Sequence, residues 1–579
     1  MEENVDVLIV GAGPVGLITA LQLALFGNVS VRVIEKHAKS MQDSYGRAIT
    51  LFPRTIEMLD QLRLADALLQ SCFACRETVT YNAKGEEVPG RGWSFMNKIY
   101  DTTFDFTLVL RQKFQEEIFR NAMAEHGVQV EAPVELTAAS VDQSIPPTGH
   151  RVSAVLRDCS NETHKTVKCK YLIGCDGGRS SIRRIFNIPF EGSASEDKWV
   201  RIDGQIKTDM PKSRSYCSIE SPTHGNVLWV ALDHGATRIG YAFTDDRANA
   251  YPRFDEDAAV KEAIAAVKPF NIEFERVDWW TIYTVGQRIA KDFFVHDCVL
   301  LAGDACHTHS SGAAQGMNTG IHDAVNLAWK LSLTLRGLAN RNLLKTYQAE
   351  RLPNVQKLIQ YDKDVSRLMT NRLPENWQGD PDADVNMVLG QVFEESGTFN
   401  TGLGIFYEIH EDNPLNVEGS FTSSQTLIKA GRRGPDVALL RPGTFEHTRL
   451  IRELRSYATF HVLVFASEHK PPIPGAVYEN VAGSSTLQCL IDRKYLDFMT
   501  IIPRSKVPSP YEFLGHDPLG RVFLEHEDRS AHLQYGVGTQ GAIVVLRPDG
   551  WIGTMIKLET EATLELERYL LGIFSEIWV

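Results

Sequence analysis

Three glycines spaced Gly11-x-Gly13-x-x-Gly16 stand between an apolar run, Val5–Val10, and a helix-forming run, Leu17–Phe26. Glu35 closes the next apolar run, Val29–Ile34. In a strand–turn–helix, glycines at this spacing let backbone approach a pyrophosphate and lay its charge on the N–H end of a helix. A carboxylate closing the second strand accepts hydrogen bonds from ribose hydroxyls and repels a 2′-phosphate, so the turn is expected to hold FAD or NAD rather than NADP. The residues expected at this cofactor are Gly11, Gly13, Pro14, Val15, Gly16, Glu35 and the adjoining Lys36.

Two further stretches carry polar groups just past apolar strands. Tyr171–Arg183 reads YLIGCDGGRSSIR, with Asp176 before Gly177. Val299–Leu331 reads VLLAGDACHTHSSGAAQGMNTGIHDAVNLAWKL, with Asp304 after Gly303. Alone, each aspartate also reads as a turn or cap residue. His307 and His309 have a spacing that suits a metal, but no matching set of carboxylates or cysteines accompanies them, and no metal is expected. Cys72 and Cys75 form a lone Cys-x-x-Cys without a second ligand pair and read as ordinary thiols.

These residues need elements to position them. The opening predicts strand, turn, helix and strand; helical patterns follow over Arg54–Leu69 and Gln112–Glu125, then strands at Val128–Glu131, Glu135–Val141 and Arg151–Leu156. From Trp199 to Ile289 short alternating runs predict a mostly antiparallel sheet, a broad face able to roof a binding site. Cys298–Ala302 is a buried strand leading through a glycine-rich loop to helices at Met317–Leu335 and Leu343–Met369. Residues 372–430 are rich in Asn, Gly, Pro and acidic side chains and predict an extended linker. A separate unit follows, with strands His461–Ala466, Phe498–Ile502 and Ala542–Arg547 and a closing helix, Glu561–Leu571.

The three motifs together resemble those of the class A FAD-dependent aromatic hydroxylases, and the chain is most similar to phenol 2-monooxygenase-like members. Gly303–Ser310, Gln315–Thr319, Asp278–Arg288 (DWWTIYTVGQR) and Tyr535–Gly550 carry that closer match. The resemblance implies an α/β and α+β chain: a Rossmann-like FAD-binding domain (1–72, 100–190, 290–371) interleaved with a β-sheet substrate domain (73–99, 191–289). A linker (372–430) and a C-terminal thioredoxin-like domain (431–579) follow. It implies FAD as cofactor, with NADPH or NADH as transient reductant because only one dinucleotide fingerprint is present, and hydroxylation by O2 through a flavin C4a-hydroperoxide. Epoxidation or Baeyer–Villiger insertion on the same scaffold, and a flavin-bearing interaction protein, stay open at this point.

By the same resemblance Arg47, Arg111, Asp176, Asp304, Ala314, Gln315, Gly316, Met317 and Asn318 join the cofactor set, though either arginine also reads as a solvated surface charge. The Gly316–Asn318 helix start would stabilise negative charge on the reduced flavin. Tyr283 and Arg288 are the catalytic candidates, and Ile49 and Tyr283 the substrate contacts. Two departures from the family pattern stand out. Ile49 replaces an Asp that hydrogen-bonds a phenol, and Ser311 replaces a Pro in the active-site loop. A larger, substituted phenol or polyketide-like aromatic is therefore expected over phenol itself. The C-terminal unit holds only Cys489, so dithiol exchange is unavailable and a dimerisation role is expected.

Composition closes off other classes. With 60 Lys+Arg against 73 Asp+Glu the formal net charge is −13, and no basic cluster suggests a nucleic-acid partner. No apolar run reaches the roughly 18–20 residues that span a bilayer. Neither a secretory leader nor a peroxisomal ending is visible, so the cytoplasm is expected. Nine cysteines in 579 residues do not make a disulfide framework.

Overall fold

The computed structural model describes residues 3–42, 48–91, 93–310, 312–339, 342–423, 427–454, 458–469, 471–504, 509–526 and 531–574. Its first sheet has strand Glu3–Val10 in the middle, parallel to Val31–Ile34 on one side and His164–Gly174 on the other. His164–Gly174 is in turn parallel to Val299–Leu301. All three fingerprint motifs therefore leave the same sheet edge, at the carboxyl ends of adjacent parallel strands, where open α/β sheets bind their ligands. Helix Pro14–Phe26, mostly buried, packs between this sheet and helix Gly316–Leu335.

The second sheet runs His307–Thr308, Ile272–Ala290, Phe190–Thr208, Thr237–Phe243, Gly225–Ala231, Tyr216–Ser221 and Thr78–Tyr81. Only its last pair is parallel. Period-two alternation sends Val200, Ile202, Ile239 and Tyr241 into a core behind the sheet, against helix Glu256–Ala266. Trp199, Leu228 and Val230 go to the opposite face, into a cluster with Ile49 and Ala313 of the nucleotide-binding unit.

The 372–430 segment departs from the expected extended linker. It folds into helices Val385–Glu395 and Gly397–Asn400, and Val388, Leu389 and Phe393 are buried in that same cluster. Val388, Leu389 and Phe393 of VNMVLGQVFEE fall on one helical face, which outweighs the polar composition of its surroundings. The C-terminal unit has its own mixed sheet, in which Phe460–Phe465, Leu496–Ile502 and Arg521–Glu525 are parallel. Ala542–Leu546 and Ile552–Lys557 add antiparallel strands at one side. Among the described residues no helix is long and apolar enough to cross a membrane.

Candidate active site

The three fingerprint glycines are not equivalent. Gly11 has φ +103, and a Cβ there would stand 2.2 Å from the Cys175 carbonyl oxygen; at Gly16 it would stand 2.0 Å from the Gly11 oxygen. Both are demanded by the folded chain itself. Gly13, with φ −73 and ψ −178, has an ordinary backbone, and a Cβ on it would meet nothing within 4 Å. The protein gives no reason for a glycine at 13, whereas a pyrophosphate lying on the helix N-terminus does. The residues present thus fit a dinucleotide such as FAD. Val15 wedges its side chain between Gly303 and Gly320, where a Cβ would come within 2.7 and 2.6 Å of it, so the first and third motifs close on each other.

Glu35 accepts from the Ala12 N–H at 3.0 Å and the His37 N–H at 2.9 Å, which pins the carboxylate beside the turn. Lys36 is exposed. One oxygen of Asp176 accepts from the Ser181 N–H (2.6 Å) and hydroxyl (2.8 Å) at the start of helix Ser181–Ile185; the other is buried with no hydrogen-bond partner among the described residues. Asp304 is exposed in the turn after Val299–Leu301.

That turn is fixed by a residue not singled out in the sequence. Asp323, buried in the long helix, accepts from the Gly303 N–H at 3.0 Å and His307 Nε2 at 2.7 Å, while Arg351 Nε donates to its other oxygen at 2.7 Å. Cys306, His307 and Asp323 offer ligand atoms close together. The Arg351 guanidinium already supplies the positive charge there, which argues against a cation.

Ala314, at φ +53, turns the chain into helix Gly316–Leu335, whose N-cap is Gln315. The side chain of Asn318 accepts from the Phe52 N–H at 2.9 Å and donates to the Thr50 carbonyl at 2.9 Å, locking the helix start to the strand beside Ile49. Gln315 Nε2 donates to the Asn400 carbonyl at 2.8 Å, and Asn400 Nδ2 to the Tyr361 hydroxyl at 2.6 Å. The presumed linker therefore holds the loop before this helix. Trp93 Nε1 reaches the Gly312 carbonyl at 3.3 Å from the other side.

Two candidates have surroundings that the sequence did not show. The Arg111 fork donates to Asp233 at 2.7 and 2.9 Å and to Asp278 at 2.8 Å. It joins the nucleotide-binding unit to the second sheet through ion pairs with the buried Asp233 and the half-buried Asp278. Arg288 is exposed, whereas its neighbour Gln287 is buried and donates to Asp362 at 2.8 Å. Asp362 also accepts from the Ser310 N–H and hydroxyl at 2.7 and 2.5 Å, so the glutamine of the Gln-Arg pair supports the active-site loop. Arg47 and Ser311 lie outside the described residues.

Tyr283 is half-buried and directly opposite Trp199 in the neighbouring strand. Both belong, with Ile49, to the apolar cluster beneath the sheet. The same face carries residues that composition and spacing had not marked: Arg201, buried near both rings, and Tyr216, whose ring meets Trp93 edge-on at 5.3 Å. Burial pushes the Tyr216 hydroxyl up to about 12.

Comparison with known proteins agrees with this construction. The family described as FAD binding domain matches residues 4–362, and the phenol hydroxylase C-terminal dimerisation domain matches residues 513–577. A phenol 2-monooxygenase of Aspergillus fumigatus is 28% identical, over 99% of this chain and 97% of its own. A 3-hydroxybenzoate 4-monooxygenase of Comamonas testosteroni is 31% identical, over 97% of this chain and 94% of its own. The flavin-dependent monooxygenase PieE, solved with FAD and substrate, superposes with a TM-score of 0.72 at 19% identity, over 98% of this chain and 99% of its own.

Proposed function

The chain belongs to the FAD binding domain family, among its flavin-dependent aromatic hydroxylases, and from that premise we propose that it hydroxylates a substituted phenolic or polyketide-like aromatic. It is a FAD-dependent monooxygenase drawing on NAD(P)H and O2. Hydride uptake from NAD(P)H and activation of O2 are what FAD supplies when bound. The turn Gly11–Gly16 would hold its pyrophosphate, Glu35 its ribose hydroxyls and Asp304 a ribityl hydroxyl. At the Gly316–Asn318 helix start the free N–H groups favour negative charge.

The chain's own part in the reaction is to place an aromatic ring and keep water away. Trp199, Ile49, Ala313 and Tyr283 meet in one apolar cluster with helix Val385–Glu395 and Trp93, the proposed place of the ring. Dry surroundings suppress loss of reducing power to peroxide. Tyr283 is the proposed hydrogen-bond partner of the substrate oxygen. Two relatives named for phenol and 3-hydroxybenzoate support a phenolic substrate. Because residues 513–577 match a dimerisation domain, the working form is proposed to be a homodimer.

The observation that carries this reading is the contrast between Gly13, open on the protein side, and Gly11 and Gly16, filled by it. The test is to load the protein with FAD and screen phenols for substrate-dependent NAD(P)H consumption, with mass spectrometry of the products. A substituted phenol that gains one oxygen is the expected result. NAD(P)H consumption unaffected by any phenol, with peroxide as the sole product, would overturn it.

A further inference from the structure

We infer that Tyr407 and Trp551 are positioning residues for the flavin, acting through Arg351 and Asp323 on the turn at Gly303; this rests on the FAD-dependent hydroxylase reading above. The relay starts in the C-terminal sheet. The Ile552 carbonyl of strand Ile552–Lys557 accepts from the Gly431 N–H at 2.8 Å, and the Gly431 carbonyl accepts from the Tyr407 N–H at 2.9 Å. The Trp551 ring stacks on the Tyr407 ring at 4.8 Å and 28°. Trp551 Nε1 donates to the Ile405 carbonyl at 3.3 Å, and the Arg54 guanidinium carbon lies 4.4 Å from the ring. Trp551 and Tyr407 are 0% and 1% exposed, so close packing fixes where the Tyr407 hydroxyl stands.

At that hydroxyl the relay meets helix Asn342–Met369. Arg351 Nη1 donates to it at 3.3 Å, Nη2 to the Thr319 carbonyl at 3.3 Å and Nε to Asp323 at 2.7 Å. A guanidinium is planar, so three partners in three directions fix its tilt as well as its place. The other oxygen of Asp323 accepts from the Gly303 N–H at 3.0 Å and from His307 Nε2 at 2.7 Å. Thr319 and Gly303 belong to the two segments that would receive the flavin, the helix start at Gly316 and the turn at Asp304. Val15, wedged between Gly303 and Gly320, carries a shift there to the first glycine turn.

Without the Tyr407 hydroxyl, a buried N–H of Arg351 loses its acceptor, and the guanidinium can regain one only by turning away from Asp323 or Thr319. The turn at Gly303 would then take more than one position. FAD would have to order that turn on binding, which weakens its affinity. Such coupling is reciprocal, so bound FAD should in turn steady the C-terminal unit. No bond forms or breaks in this role; it is purely positional.

The test titrates FAD into the full-length, flavin-free protein and follows binding by fluorescence. Tyr407→Phe keeps the ring, removes one atom and should raise the dissociation constant at least about fivefold. Trp551→Leu should do the same, while Trp551→Phe, which leaves a ring against Tyr407, should retain most of the affinity. In an Asp323→Asn background Tyr407→Phe should have little further effect, because the relay is already cut. Tyr569→Phe is the control. It deletes a buried hydroxyl of the C-terminal unit, bound to the Leu415 carbonyl at 3.0 Å, and should lower the melting temperature while leaving FAD affinity unchanged. Melting of each flavin-free variant reports folding, and Tyr407→Phe decides the matter if Trp551→Leu does not fold. A folded Tyr407→Phe that binds FAD as tightly as the parent overturns the relay. So does an effect that adds in full to that of Asp323→Asn, or an equal loss of affinity in Tyr569→Phe. If the parent takes up no FAD, the hydroxylase reading fails first, and this one with it.

Discussion

Where helix Asn342–Met369 meets the turn after Ala542–Leu546, Arg547 donates to Glu350 at 2.6 and 2.9 Å and to Asp549 at 2.6 and 3.0 Å. Lys330 adds a third contact to Glu350 at 2.7 Å, and all four residues are buried. Close by, Trp551 stacks on Tyr407 at 4.8 Å, and Tyr407 reaches Arg351, which holds Asp323 and so the flavin-side turn. The interior under the second sheet is of the opposite kind. Its described residues form an aliphatic and aromatic cluster, with Arg201 buried near the Trp199 and Tyr283 rings. Paired charges in a dry seam tolerate one geometry, because any displacement leaves an ion without its partner. An apolar wall tolerates many shapes at a small cost each. The seam thus ties the C-terminal unit to the helices that carry Asp323 and Arg351, while the apolar cluster is the part whose shape is freer to vary.

The largest expected effect lies in the seam. Glu350→Gln would strand the Arg547 and Lys330 charges and should destabilise the protein by about 3–5 kcal/mol in chemical denaturation, whereas Ile49→Val in the apolar cluster should cost about 0.5–1.5 kcal/mol. Equal losses would erase the distinction between the two regions. Next comes Gly13→Val, which should weaken FAD binding by about a hundredfold or more, close to 2.7 kcal/mol, while leaving the melting of the flavin-free protein unchanged. Gly16→Ala should instead disturb the fold with or without flavin. A Gly13→Val protein that kept full flavin would remove this turn from the cofactor site.

Acid probes the link between seam and turn. Burial alone would raise the Asp323 carboxyl, but Arg351 and His307 pull it down from 3.8 to about 2. Its contribution is therefore complete above pH 4 and is lost as the pH falls from there towards 2, amounting to about 2 kcal/mol. Asp323→Asn should flatten the stability profile across that window, and an unchanged acid profile would show that the carboxylate does not hold the turn. In the apolar cluster, Tyr283→Phe should lower coupled product formation about tenfold, near 1.4 kcal/mol, by loss of one hydrogen bond. Unaltered rate and coupling would take Tyr283 out of the reaction.

The glycine turn, the strand before it and the helices near Gln112–Glu125 and Gly316–Leu335 were legible because their signals are local: backbone freedom, helical periodicity and strand alternation act over a few residues. The lack of a carboxylate at position 49 could likewise be read directly from the family pattern. Arg201 could not be found this way, since alternation shows that it shares a face with Trp199 but not which face turns towards the flavin-binding unit. Asp323 was not singled out because its role depends on Gly303 and Arg351, 20 and 28 residues away in the chain.

Helices Val385–Glu395 and Gly397–Asn400 were hidden by a polar composition that suited a linker. The carboxylates that Arg111 meets lie 122 and 167 residues away in the chain and could not be read from its own neighbourhood. The amino-acid sequence by itself therefore determined the cofactor class and the elements that carry it, through short-range sterics and periodicity. Tertiary structure decided which charges are paired, which face of the second sheet meets the nucleotide-binding unit and how the C-terminal unit is tied to the helices that carry Asp323 and Arg351. Those outcomes depend on desolvation and contact between segments far apart in the chain, as with Glu350 and Arg547, 197 residues apart.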